Sequence, residues 1–369
     1  MKFLHLSDLH IGKRLNGISL FEDQKYILNQ IAGIAKESGV DAVVIAGDIY
    51  DRSAPSADAV SLFDDFLTQL SELNVPILII SGNHDSPERL AFGGRLMKNI
   101  YIYSVFDGSL KRVTVKDVDF YMLPFVRPQT VRRFFDDPEL RDYEKMTKLI
   151  FKDFKKRGKS VLVMHQFVTS GALRSDTGES VTVGTLDNIS VSHFSDFDYV
   201  ALGHVHIPQR VSDSSNAVYC GSPLKYSCAE AGAEKYAVIV DCGDNMNTEK
   251  IPLVPLRDVR RIRGKLEELL NPETYSGTNT SDFLHITLTD EGEITDAQAR
   301  LAGVYENVVE IVFEREKDIL GAAEIDADFI NSKTPQELFA QFFEEQNGIP
   351  MNEEQRETVN EIMEELCVR

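Results

Sequence analysis

Short apolar runs in this chain end, five times over, in residues that bind metal ions or move protons. FLHLSDLH delivers Asp8 and His10, VVIAGD delivers Asp48, LIISGNHD delivers Asn83, His84 and Asp85, VLVMH delivers His165, and YVALGHVH delivers His204 and His206. Five of the eight histidines fall in this set. A mixture of imidazole, carboxylate and one amide carbonyl suits Mn, Fe or Zn better than Ca or a thiolate-bound metal. So many ligands exceed the needs of one ion. Two ions about 3.5 to 4 Å apart, sharing a carboxylate, clamp both the attacking and the leaving oxygen of an in-line phosphoryl displacement. Asp48 is the natural bridge. Gly47 and Gly82 stand where the chain must turn sharply to point a ligand inwards, a conformation glycine adopts without steric cost. His5, inside the run three residues before Asp8, is expected to be a buried, hydrogen-bonded core residue rather than a ligand.

The elements that position these residues follow from the apolar patterning. Strands are predicted at 2–7, 42–47, 76–81, 161–165 and 198–203, and amphipathic helices, with apolar residues three and four apart, over 22–38 and 56–73. This alternation defines a layered α/β domain. In an open α/β sheet, sites form at the carboxyl ends of strands, so the five runs should deliver their residues to one rim. Further strands are expected at 217–222, 236–242 and 249–256. Near residue 256 the texture changes: a basic stretch, 257–265, leads into a short helix and then into polar 272–282, which marks a domain boundary. Beyond it, 283–289, 294–304 and 308–314 read as strand, helix, strand, and 335–346 with 353–368 as two acidic amphipathic helices joined by 347–352. A hairpin that short buries little by itself and is expected to dock on a partner.

The net charge of −20 looks unsuited to nucleic acid, because phosphate contacts need Lys and Arg. Its distribution changes that view. Residues 265–369 hold 25 Asp and Glu against 7 Lys and Arg, a net −18, which leaves −2 for residues 1–264. Local basic groups in the first part lie at Lys13 and Arg14, Arg132 and Arg133, Lys155 to Lys159, and Arg257 to Arg263. The longest apolar runs are strand length, far short of a membrane span. Ser7 and Asp8 interrupt any export signal at the N-terminus, so a cytoplasmic location is expected. Cys220, Cys228, Cys242 and Cys367 lack close CxxC pairing, which argues against a zinc cluster and against disulfides. The sequence holds no GxxxxGK(S/T) loop for ATP hydrolysis.

Taken in order, DLH, GDIYD, GNHD, a single His after a strand, and GHVH resemble the calcineurin-like metallophosphoesterase superfamily. The resemblance implies a four-layer α/β/β/α sandwich. It implies one metal held by Asp8, His10, His206 and the bridging Asp48, and another held by Asp48, Asn83, His165 and His204. It also implies that His84 contacts the scissile phosphate and protonates the leaving oxygen, while Asp85 orients His84. Segments 47–67, 185–209, 220–227 and the acidic C-terminal end are similar to the SbcD family of bacterial nuclease subunits. Thr185 and Cys228 depart from that family's pattern, and neither is a ligand.

That second resemblance implies a metal-dependent DNA nuclease of repair and recombination, exonuclease on double strands and endonuclease on single strands or hairpins. Two divalent ions are implied, Mn first, with Mg, Fe or Zn as alternatives. Three domains follow: 1–256 as the nuclease, 257–333 as a small α/β capping domain that limits DNA access, and 334–369 as a helix-loop-helix binding the coiled-coil base of the ATPase subunit SbcC. Regions 56–71 and 88–98 resemble the family's homodimer contact, although Leu62, Phe66 and Leu67 equally suit ordinary core packing. Lys13, Arg14, Arg52 and Arg89, just after ligand motifs, are candidates for DNA contacts. The rival on the same site is a small-molecule or protein phosphatase, which would need neither the capping domain nor the acidic hairpin. A non-catalytic scaffold is opposed by the complete ligand set and by His84.

Overall fold

The computed structural model describes residues 1–170, 188–290 and 294–314, with scattered positions between 339 and 359. The chain divides into two compact units, Met1–Phe313 and Glu314–Arg369. The expected C-terminal helical hairpin lies almost wholly outside the described residues, as do Thr185 and Cys367.

In chain order the first unit contains β1 (Lys2–Leu6), α1 (Phe21–Glu37), β2 (Ala42–Ala46), α2 (Ala57–Ser71), β3 (Ile77–Ile80), β4 (Ile100–Tyr103), β5 (Lys111–Val115), β6 (Val118–Leu123) and α3 (Tyr143–Phe151). There follow β7 (Lys159–His165), β8 (Tyr199–Gly203), β9 (Gln209–Arg210), β10 (Ala217–Tyr219), β11 (Tyr236–Cys242), β12 (Met246–Pro252), β13 (Val259–Gly264), β14 (Phe283–Leu288), α4 (Ala297–Ala302) and β15 (Asn307–Phe313), besides single turns of helix and two small ribbons. Two six-stranded sheets are formed, β12-β11-β1-β2-β3-β4 and β9-β10-β8-β7-β6-β5. β1 to β4 run parallel in one and β6 to β8 with β10 in the other, while β11 and β12 at one edge of the first sheet, and β5 and β9 at the two edges of the second, pair antiparallel.

Alternation along the strands sets the layers. Phe3, Val44, Leu78 and Ile80 of the first sheet meet Phe120, Met122, Val161 and Val163 of the second in one shared core. Leu4, Val43, Ile45, Ile77 and Ile79 point the other way and pack with Ile27, Leu28 and Ile31 of α1 and Leu62, Phe63 and Phe66 of α2. Leu162, Met164, Val200 and Leu202 do the same with Met146 of α3. Helix, sheet, sheet, helix is the four-layer sandwich expected. Ser56 caps α2 by accepting from the Ala59 N–H, and Glu22 and Asp23 open α1 where the helix dipole favours negative charge. Leu62, Phe66 and Leu67 are buried, so the apolar stripe of α2 is used within the chain. The exposed apolar groups of the two regions read as a dimer contact are Val60, Phe92, Leu96 and Met97.

The basic stretch 257–265 is a strand for most of its length and leads into a short helix, Leu266–Leu269. β13 pairs in parallel with β14, and β14 with β15, over a small core that includes Leu266, Leu284, Ile286 and Leu301. Its arginines are engaged inside the unit: Arg257 with Asp23, Arg260 with Asp282, and Arg261 with the Cys228 carbonyl. No described helix is long and apolar enough to cross a membrane.

Candidate metal centre

The first wall of the site consists of turns that follow β1, β2 and β3. Asp8 N–H donates to the Gly47 carbonyl and His10 N–H to the Asp48 carbonyl, each at 3.0 Å, so the first two turns are laced together. Asp8, His10 and Asp48 hold left-handed backbone at φ 53°, 43° and 51°, and His204, across the site, reaches 100°. Such backbone costs a non-glycine residue roughly 1–3 kcal/mol and persists only where its surroundings over-determine it. Four of the ten described non-glycine residues with such backbone are expected ligands. A Cβ on Gly82 would overlap the Asp48 carboxylate, and one on Gly47, at φ 90°, would lie 2.5 Å from His165 Nδ1.

Asp85 does not take the place expected for it. Its carboxylate accepts from the backbone N–H groups of Gly82 at 2.9 Å, Ile49 at 3.1 Å and Tyr50 at 3.0 Å. Three converging donors hold it to the backbone and tie the Asp48 turn to the Asn83 turn. His84 is oriented by other means: its Nδ1 lies 2.9 Å from the Asp51 carbonyl, and its N–H donates to Asp48 Oδ1 at 2.9 Å. A carbonyl only accepts, so Nδ1 carries the proton and Nε2 is left for other chemistry.

The second wall supplies imidazoles. His165 Nδ1 donates to the Ala46 carbonyl at 2.7 Å, which turns Nε2 into the site, 3.0 Å from Asn83 Oδ1 and 3.3 Å from Asp48 Oδ2. His204 N–H lies 3.1 Å from both Asp8 carboxylate oxygens, and its Nδ1 is 3.0 Å from Asn83 Oδ1. His206 Nε2 and His10 Nε2 face each other at 3.1 Å, and His10 Nε2 is 3.5 Å from Asp48 Oδ2. All seven expected ligands thus meet at the rim where the two sheets join, with His84 beside them, its ring edge-on to His10 at a centroid distance of 4.8 Å.

Electron-pair donors face one another here with too few protons between them. Asp48 Oδ2 and His10 Nδ1 are buried without hydrogen-bond partners. Asp8, His10 and His206, and likewise Asp8, Asp48 and His165, offer ligand atoms within 4.8 Å of one another. Burial opposes charge on His165, yet Asp48 and Asp8 raise its pKa to about 10. Burial lowers His10 to about 4 against the pull of Asp48. Burial likewise opposes charge on Asp48, but His165, His10 and His84 hold it well below the usual carboxylate range. Positive charge is favoured where Asp48 meets His165, and this donor set fits divalent cations of the Mn, Fe or Zn kind.

Behind the second wall stand groups that sequence reasoning missed. Glu230 is fully buried; Oε1 lies 3.4 Å from His206 Nδ1 and accepts from the Tyr226 N–H and the Ser227 hydroxyl at 3.2 Å each. Its Oε2 is paired with Lys235 Nζ, which also donates to the His206 carbonyl and to Ser222 Oγ at 2.8 Å each. The Tyr226 ring packs edge-on against His10 and His206. No spacing in the sequence announces the Glu230–Lys235 pair, since neither residue ends an apolar run. The four basic candidates are placed unequally. Lys13 pairs with Asp51 at 2.8 Å, Arg14 donates to the Gly17 carbonyl and Arg89 to the Ser53 carbonyl, while the Arg52 side chain is 81% exposed. His5 is buried with Nδ1 3.1 Å from the Tyr199 hydroxyl, a core residue as expected.

With this geometry in place, residues 1–208 match the calcineurin-like phosphoesterase family, and the chain belongs to that family. Residues 255–347 match a family described as the type 5 capsule protein repressor C-terminal domain. The D subunit of the nuclease SbcCD from Staphylococcus epidermidis is 33% identical over 329 residues, covering 86% of this chain and 87% of that protein. Within its class the chain is thus a metal-dependent nuclease subunit of the SbcD kind. Among solved structures, TT1561 of Thermus thermophilus is 14% identical, covering 68% of this chain and 98% of that one at a TM-score of 0.41. A dimetal phosphatase from Danio rerio is 12% identical, covering 69% and 96% at a TM-score of 0.42.

Proposed function

We propose that this subunit hydrolyses DNA phosphodiester bonds with two divalent ions, Mn foremost, as an exonuclease on double strands and an endonuclease on single strands or hairpins. Asp8, His10, His206 and Asp48 hold one ion, and Asp48, Asn83, His165 and His204 the other. The ions, when bound, supply Lewis acidity and an acidified water for attack on phosphorus. The Ala46 carbonyl fixes the His165 tautomer so that Nε2 faces inwards, and Asp85 holds the turns of Asp48 and Asn83 in register. His84 keeps its Nδ1–H on the Asp51 carbonyl and presents Nε2 to the leaving oxygen; in the imidazolium form, with a second proton on Nε2, it delivers that proton and is left neutral. The observation that supports this reading is the convergence of seven ligand-type side chains from five strand ends on one buried rim, in a chain 33% identical to a named nuclease subunit over most of its length.

The rest of the chain is assigned to access and assembly. Residues 257–333 cap the site, 334–369 bind the coiled-coil ATPase SbcC, and the exposed Val60, Phe92 and Leu96 contribute to a homodimer. The protein acts in the cytoplasm. Mn-loaded protein should cleave labelled DNA, and His84→Gln should cut the rate by about 10²–10⁴-fold while both ions stay bound. Rapid turnover of phosphomonoesters with DNA untouched would replace the nuclease with a phosphatase. Deleting 335–369 should abolish capture of the ATPase while leaving the sedimenting dimer intact; loss of both would remove the division of labour proposed here.

A further inference from the structure

We infer that Glu230, locked in place by Lys235, is the positioning residue for His206. It holds the imidazole with its proton on Nδ1, so that Nε2 is presented to the metal centre beside His10. The inference rests on the reading of His206 as a ligand and adds what makes it one. An imidazole ligates through an unprotonated nitrogen, and the group that accepts from the other nitrogen decides which one that is. An ionised carboxylate only accepts, so Glu230 Oε1, 3.4 Å from Nδ1, selects the tautomer whose electron pair lies on Nε2. That pair points at the space shared with His10 Nε2, 3.1 Å away.

A fully buried carboxylate needs compensation to remain ionised, and here it is complete. Lys235 supplies the opposite charge, and the Tyr226 N–H and Ser227 hydroxyl donate to the oxygen that faces His206. Lys235, itself buried, directs further donors to the His206 carbonyl and to Ser222 Oγ. One ion pair therefore grips both the ring and the backbone of a single residue. A buried ion pair is weak evidence for stability, because desolvation offsets its attraction. Its presence against His206 is accounted for by the orientation it imposes.

The test uses the full chain with Glu230→Leu and Lys235→Met combined, which removes both charges and leaves neither buried alone. Calorimetric titration of the metal-free protein with Mn²⁺ should show one of two affinities falling about 10- to 100-fold, with the other affinity held. Both affinities unchanged would overturn the inference. Histidine ¹⁵N NMR of the unmutated metal-free chain, with the His206 signal assigned through His206→Gln, should show the neutral ring protonated on Nδ1. Protonation on Nε2 would overturn the inference even if the double variant does not fold. His206→Ala separates the two layers: it should lose the same ion, and if it binds both ions normally the ligand reading fails rather than the role of Glu230.

Discussion

The two walls of the metal centre are held by opposite means. The wall from β1, β2 and β3 carries the carboxylates, the amide and His10 on turns stitched through the backbone: Asp85 accepts from Gly82, Ile49 and Tyr50, and the turns of Asp8 and Asp48 are laced together, with left-handed backbone at Asp8, His10 and Asp48. The wall from β7 and β8 carries imidazoles, and two of them are aimed by an acceptor at Nδ1, the Ala46 carbonyl for His165 and Glu230 for His206. The difference follows from ligand chemistry. A carboxylate offers electron pairs whichever way it turns, so fixing the backbone suffices. An imidazole must also be told which nitrogen keeps the proton.

The largest expected effect tests the element both walls share. Asp48→Ala should abolish binding of both ions, read by metal analysis, and bring DNA cleavage to background; one ion retained at full affinity would mean that the walls do not share a bridge. Next comes Asp85→Ala, which leaves three backbone N–H groups without their acceptor. At about 1–3 kcal/mol for each unsatisfied group the loss should reach several kcal/mol, a fall in melting temperature on the order of 10 °C. An unchanged melting temperature with lost cleavage would give Asp85 a direct part in the chemistry and erase the contrast with Glu230. The smallest effect concerns the rim. Arg52→Ala should weaken DNA binding modestly and uniformly across sequences, and lower the slope of log affinity against log salt by about 0.9. A sequence-dependent loss would place Arg52 against bases rather than phosphate.

The ligand-type residues of both walls were legible in the sequence, and the groups that hold them were not. Strand-end motifs are local: a run such as 42-AVVIA-46 dictates a buried parallel strand, and the Gly47–Asp48 step after it must turn, so ligand types and their order could be read without coordinates. The same local logic recovered the layers, because period-2 alternation assigns Val43 and Val44 to opposite faces. What neighbours in space contribute could not be read that way. The family resemblance made Asp85 a partner for His84, whereas the folded turns bring three N–H groups to its carboxylate and the Asp51 carbonyl to His84. The run 257–265 could be read only as a local basic group, and its partners Asp23, Asp282 and the Cys228 carbonyl come from elsewhere in the chain. Residue type and strand-end position, set by short-range sterics and hydrophobic periodicity, therefore determined which side chains form the centre. Their tautomers, partners and charge balance depended on contacts that exist only once the two sheets pack, and those the tertiary structure alone decided.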